Sequence, residues 1–217
     1  MAMQHITYTE ARKEMKAGDV IAFGGKGHFS EIIKFSTRSA VSHVGIVLQT
    51  KIVEEESGRF FNQIVESTGH DGVGVYRLSD RLEYDGEIWW LPLRRNLWEQ
   101  KFDRKTFYNF LFNEVKGRPY DMIQAVKSAL DLLDKLPLTD IKGPTRNSED
   151  FEKFFCSELV AAGLEKAGMT GAINASEVTP VDLCRWDIYE DDYYMLKGEK
   201  TKLISRHNSL DPSAWSN

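Results

Sequence analysis

The stretch Phe154-Phe155-Cys156-Ser157-Glu158-Leu159-Val160-Ala161-Ala162-Gly163-Leu164 decides the reading of this chain. A short aromatic run leads into an amphipathic helix, and a cysteine stands in its first turn. That position faces unpaired backbone N–H groups and the positive end of the helix dipole, both of which favour thiolate over thiol. A thiolate beside a base, and beside a group that orients the base, is a nucleophile. The same segment also reads as a core helix carrying a small buried hydrophobe, the usual role of an unpaired cysteine. The choice between the two turns on what the rest of the chain supplies.

A base is available in Ser42-His43-Val44-Gly45-Ile46-Val47-Leu48. Period-two alternation puts Val44, Ile46 and Leu48 on one face of a strand and His43, Gly45 and Val47 on the other. Imidazole titrates near neutral pH and serves as a general base, although a histidine in an apolar strand also reads as a satisfied core residue. Gly45 leaves room beside His43 for another element to approach. An orienting group is available in Glu66, which follows Ile64 and Val65 and precedes Ser67-Thr68-Gly69. A carboxylate there can accept from His43 and fix its tautomer; otherwise it is an ordinary surface Glu. His70, in a glycine-rich turn, is a weaker candidate for the same place. Tyr120, after Pro119, offers a hydroxyl for an oxyanion or a carbonyl, or else simply packs its ring.

Around these residues the chain divides into a strand-rich part and a helix-rich part. A helix is expected over 8–17, stopped at Gly18, followed by the strand Val20-Ile21-Ala22-Phe23. Glu31 to Ser36 reads as one or two helical turns. Strands follow at 42–48, 63–67, 74–78 and 87–93, and their turn-rich connections predict an antiparallel meander. Helices are expected from Asp103 to Val115 and again through Ile123, Val126, Ala129, Leu130 and Leu133. Pro137 to Asp150 reads as a surface loop. The Cys156 helix ends near Gly168. A short helix opens with Thr179 as N-cap and Pro180 at its first position, and Cys184 on it reads as packing. The acidic run Glu190-Asp191-Asp192 reads as a solvated turn, and 206–217 as a loosely packed tail. The class is α+β, with one domain over residues 1–217.

Composition excludes several functions. The 217 residues are 41% hydrophobic, 12% aromatic and 28% charged, with a formal net charge of -5. That balance gives no basic face for nucleic acid. No apolar run approaches the roughly 20 residues of a membrane span. The first residues lack the pattern of a signal peptide, so the expectation is a cytoplasmic location by default, or a mature form whose signal was removed. Two cysteines, Cys156 and Cys184, make no disulfide framework and lack zinc-site spacing. No metal and no organic cofactor is expected.

A series of short motifs runs in one order. It comprises Gly18-Asp19-Val20-Ile21, Ser42-His43-Val44-Gly45-Ile46-Val47, Val65-Glu66-Ser67, Gly72-Val73-Gly74-Val75, Gly117-Arg118-Pro119-Tyr120-Asp121, Phe155-Cys156-Ser157-Glu158-Leu159-Val160 and Thr179-Pro180-Val181-Asp182-Leu183. Over roughly residues 17–185 this order resembles the permuted papain-like cysteine hydrolases of the NlpC-type superfamily, in particular the YiiX-like proteins. In the unpermuted enzymes the cysteine precedes the histidine; here the order is His, acid, Cys. The resemblance implies a circularly permuted papain-like fold, with Cys156 as nucleophile, His43 as base, Glu66 as its orienting partner and Tyr120 beside the cleft. It implies hydrolysis of an amide bond in a small peptide, such as a cell-wall stem peptide, through a thioester and without cofactor. Many relatives that act on the cell envelope are exported, whereas no signal is seen here, and Pro137–Asp150 reads as an insertion in the place of a lid or specificity loop.

Two other functions fit the same residues. The permuted arrangement also resembles the lecithin retinol acyltransferase-like proteins, which cleave or transfer a lipid acyl chain through a cysteine thioester; Trp89-Trp90 and Phe60-Phe61 would then line an apolar pocket. The third reading is a non-catalytic binding module that keeps the fold.

Overall fold

The computed structural model describes residues 3–26, 30–31, 34–35, 37–68, 72–117, 155–198 and 202–216, with the side chain of Phe155 left aside. In chain order the regular elements among them are β1 (Met3–His5), α1 (Tyr8–Glu14), β2 (Val20–Gly25), β3 (His43–Val53), β4 (Phe60–Thr68), β5 (Gly72–Arg77) and β6 (Gly86–Leu91). Then come α2 (Arg95–Lys101), α3 (Arg104–Tyr108), α4 (Phe155–Lys166), α5 (Pro180–Arg185) and β7 (Tyr193–Lys197). A 3-10 turn, Asp80–Glu83, joins β5 to β6, and α3 runs straight into a π-helical segment, Asn109–Glu114. The class is α+β, built on one mixed seven-stranded sheet in the order β1-β7-β6-β2-β3-β4-β5.

The alternation read in β3 holds. Val44, Ile46 and Leu48 join the large core cluster on one sheet face, with Cys156, Leu159, Val160 and Leu164 of α4. Val47 joins the smaller cluster on the other face, with Ile21, Phe23, Ile64 and Ala11 of α1. The helix α4 lies against β3 and β4. Burying both faces of one sheet under helices accounts for why β2 and β6 have no exposed position.

Four expectations need correction. The sheet is a meander only from β2 to β5. The expected strand at 87–93 does not follow β5 but pairs antiparallel with β2, on the opposite side from β3, and with β7 beyond it. Glu87-Ile88-Trp89-Trp90-Leu91 is a continuous buried run, and such a run needs a neighbour on each side. The N-terminal helix stops at Glu14 rather than 17. The Asp19 carboxylate accepts from the Lys16 N–H at 2.8 Å, so that donor is withdrawn from the helix, and Gly18 turns the chain at φ +91°. The helix expected from 103 to 115 is α3 plus the π-helical turn, and α2 precedes it. The C-terminal segment is not loose. His207 is buried, with ring nitrogens 3.1 Å from the Cys184 carbonyl and 3.2 Å from the Glu190 carbonyl, and Trp215 stacks edge-on to Trp186. The helix expected at 123–133 and the loop at 137–150 lie outside the described residues.

Candidate active site

His43 is the first residue of β3, and its register partner on β2 is Phe23. The two rings meet with centroids 5.3 Å apart. One step along from the Ile46–Val65 pair, Gly45 faces Glu66 on β4. A Cβ built on Gly45 would come within 2.6 Å of the Glu66 Cγ, so only glycine admits the carboxylate here. Glu66 therefore lies along the face that carries His43, and its Oε2 sits 2.7 Å from His43 Nε2. The Cys156 side chain hydrogen-bonds the same ring, which leaves Nδ1 for the thiol. Contact between Cys156 and His43, 113 residues apart, is tertiary and owes nothing to local chain geometry.

Cys156 is the second residue of α4 as described and has no exposed surface. The start of the helix is tied down by its neighbour: Ser157 Oγ donates to the Val178 carbonyl at 2.6 Å. The chain leaves Val178 into the expected cap, where Thr179 and Asp182 form a capping box and Pro180 opens α5. Cys184 on α5 is buried in the same core cluster, and burial pushes its thiol well up. Neither cysteine is in a disulfide.

The electrostatics follow from burial and pairing. Burial alone would lower the His43 pKa, but the Cys156 charge and hydrogen bond, together with those of Glu66, outweigh it and raise the ring to about 9. Glu66 has no exposed surface, and burial would raise it; His43 first and Arg81 second hold it below the usual carboxylate range. Arg81 makes a two-pronged contact, Nε to Oε1 at 2.7 Å and Nη2 to Oε2 at 3.1 Å. Tyr84 is pushed up to about 12 by burial, against its hydrogen bond to Ser42, with the charges of Cys156 and Glu66 adding to the rise. Its ring meets Phe23 edge-on at 5.0 Å.

Cys156, His43 and Glu66 are thus brought together, while Tyr120 and His70 lie outside the described residues. Reading the sequence missed Arg81 and Tyr84. The one available signal was indirect. A Glu aimed inward from a buried strand needs a cation, and the turn after the neighbouring strand is within reach. Among the described residues no group of three or more His, Cys, Asp and Glu side chains could hold a metal ion, and no helix is long and apolar enough to cross a membrane.

The fold and site define an α+β protein with a buried Cys–His–Glu constellation on a mixed sheet. No family model and no curated protein matches the chain. Among solved structures it is similar to the metalloprotein YiiX from Escherichia coli O157:H7, with a TM-score of 0.44 and 16% identity, over 70% of this chain. The match spans 66% of the length of that chain.

Proposed function

We propose that this protein is a cysteine hydrolase of permuted papain-like fold that cleaves an amide bond in a small peptide. The observation that carries this reading is His43 held between Glu66 Oε2, at 2.7 Å, and the Cys156 side chain. In the proposed reaction the Cys156 proton rests on His43. The thiolate attacks the substrate carbonyl carbon, and the Cys156 backbone N–H, in the first described turn of α4, faces the developing oxyanion. Tyr120 is the second donor that the family resemblance implies. The C–N bond breaks as the imidazolium gives its proton to the leaving amine. His43 then takes a proton from water, the hydroxide adds to the thioester, and the thiolate leaves.

The test is a rate measurement on a library of dipeptides and cell-wall stem peptides, with an acyl-lipid arm alongside. Cys156→Ser should keep the fold and lose at least about a thousandfold in rate, since one member of a catalytic set is gone. Cys184→Ala should keep the rate. Activity retained in Cys156→Ser, or an equal loss in Cys184→Ala, would show that the nucleophile is wrong. Turnover confined to the lipid arm would move the substrate class to acyl chains.

A further inference from the structure

Glu66 has no exposed surface, yet its two oxygens carry three charged contacts, one from His43 and two from Arg81. We propose that Arg81 is a positioning residue of this site, which keeps Glu66 ionised and in plane and thereby holds His43 as the charged partner of Cys156. The inference rests on the hydrolase reading above and adds a fourth member to its charge arrangement.

The geometry supports it in three ways. First, a guanidinium fork on a carboxylate fixes the plane of the carboxylate as well as its charge. With Oε1 on Nε and Oε2 shared with Nη2, the remaining direction of Oε2 is the one that meets His43 Nε2. Second, Arg81 is itself held. Its guanidinium carbon sits 5.8 Å from the Phe23 centroid, 5.7 Å from Tyr76 and 5.9 Å from Tyr84. Phe23 is also the ring packed on His43, so the cation and the base share one apolar wall. Third, the charges alternate along the line Arg81, Glu66, His43, Cys156. Removing the outer cation leaves a buried carboxylate with one counter-charge, and burial then favours its protonated form. A protonated Glu66 no longer supports the imidazolium, and the thiolate loses its partner.

Among the described residues the surroundings add no competing charge. The titratable groups facing Glu66 are His43 from β3, Arg81 and then Tyr84 around the 3-10 turn, and Cys156 from α4 across the His43 ring. From β5, Gly74 stands opposite Glu66, and the Tyr76 hydroxyl is 3.3 Å from Thr68 Oγ1. Asp80 and Glu83, on the same turn as Arg81, are exposed.

The experiment follows thiolate ultraviolet absorbance against pH, with Cys156→Ser as the blank, so no substrate or access to the thiol is needed. The set is wild type, Arg81→Met, Arg81→Lys, Glu66→Gln and the double variant of Glu66→Gln with Arg81→Met. In Arg81→Met the midpoint for loss of thiolate should move to higher pH, because a Glu66 without its arginine protonates more readily and supports the imidazolium less. Arg81→Lys keeps the charge without the fork and should shift it less. In the Glu66→Gln background Arg81→Met should add nothing, because the two residues act through one contact. An Arg81→Met curve that overlays wild type overturns the inference, as does the same shift with and without Glu66. If Arg81→Met does not fold, Arg81→Lys decides, and an unshifted curve overturns the proposal. A wild type with no Cys156 thiolate at neutral pH instead sinks the hydrolase reading, and this inference with it.

Discussion

His43 keeps a proton that burial alone would remove. Burial would lower its pKa, but the contacts with Cys156 and Glu66 outweigh burial and raise it from 6.5 to about 9. The ring therefore binds its proton more tightly in the folded state than in the unfolded chain. The stability this contributes is complete below about pH 6.5 and is lost as pH rises through about 9. In the proposed reaction the imidazolium also protonates the leaving amine. Both kcat/KM and the thermal midpoint should therefore decline on the alkaline side as pH passes about 9. A pH–rate profile and a melting series on the same buffers check this, and a rate that stays flat through that pH removes the imidazolium from the mechanism. At this scale much of the site was legible. Cys156, His43 and Glu66 each carry chemistry that their local pattern makes visible, a helix start or an inward strand position. Arg81 was not, because Ser79-Asp80-Arg81-Leu82-Glu83 reads as a solvated turn and nothing local marks which arginine finds a buried acid.

Between β3 and β4 the site depends on a missing side chain. The close approach of Glu66 to the strand holding His43 is permitted at Gly45, where a methyl would meet Glu66 Cγ at 2.6 Å and Ile64 Cδ1 at 2.7 Å. Gly45→Ala should push the carboxylate off line. We expect a stability loss of about 1–3 kcal/mol, typical of overpacking, and about a hundredfold loss of activity from misplacement of the base. Chemical denaturation and peptide turnover measure the two, and a variant with the wild-type rate would show that Glu66 tolerates displacement. Elements with strong local signals were readable in advance. The α5 cap was written in Thr179-Pro180-Val181-Asp182, and the faces of β3 in its alternation. The place of β6 beside β2 was not, since a continuous apolar run states that a strand is central without naming its neighbours. Nor were β1 and β7, of three and five residues, too short for a period to emerge.

Across the molecule, Asp19 joins parts that the chain order keeps far apart. It is fully buried, and its carboxylate accepts from Lys16 N, Trp90 Nε1 at 2.9 Å and Leu93 N at 3.0 Å. Its own carbonyl accepts from Val47 N at 2.8 Å. The turn after α1, the strand β3 and the C-terminal end of β6 thus meet at one residue. The motif Gly18-Asp19-Val20-Ile21 therefore marks a structural joint rather than chemistry. Asp19→Ala would leave two buried donors and one half-buried donor without this acceptor, and we expect it to cost upwards of about 3 kcal/mol in urea unfolding, far more than Cys156→Ser. A loss under about 1 kcal/mol would mean that water replaces the carboxylate. The order of His43, Glu66 and Cys156 along the chain has a further consequence, for the timing of synthesis. His43 and Glu66 emerge from the ribosome on adjacent strands of one hairpin, and Cys156 follows 113 residues after His43. Glu66 precedes Cys156 by 90 residues, so at about 5–20 residues per second the nascent chain carries both the base and its acid for roughly 4–18 s before the thiol is made. The reactive member is thus the last of the three to arrive, on a chain that already carries its base and its acid.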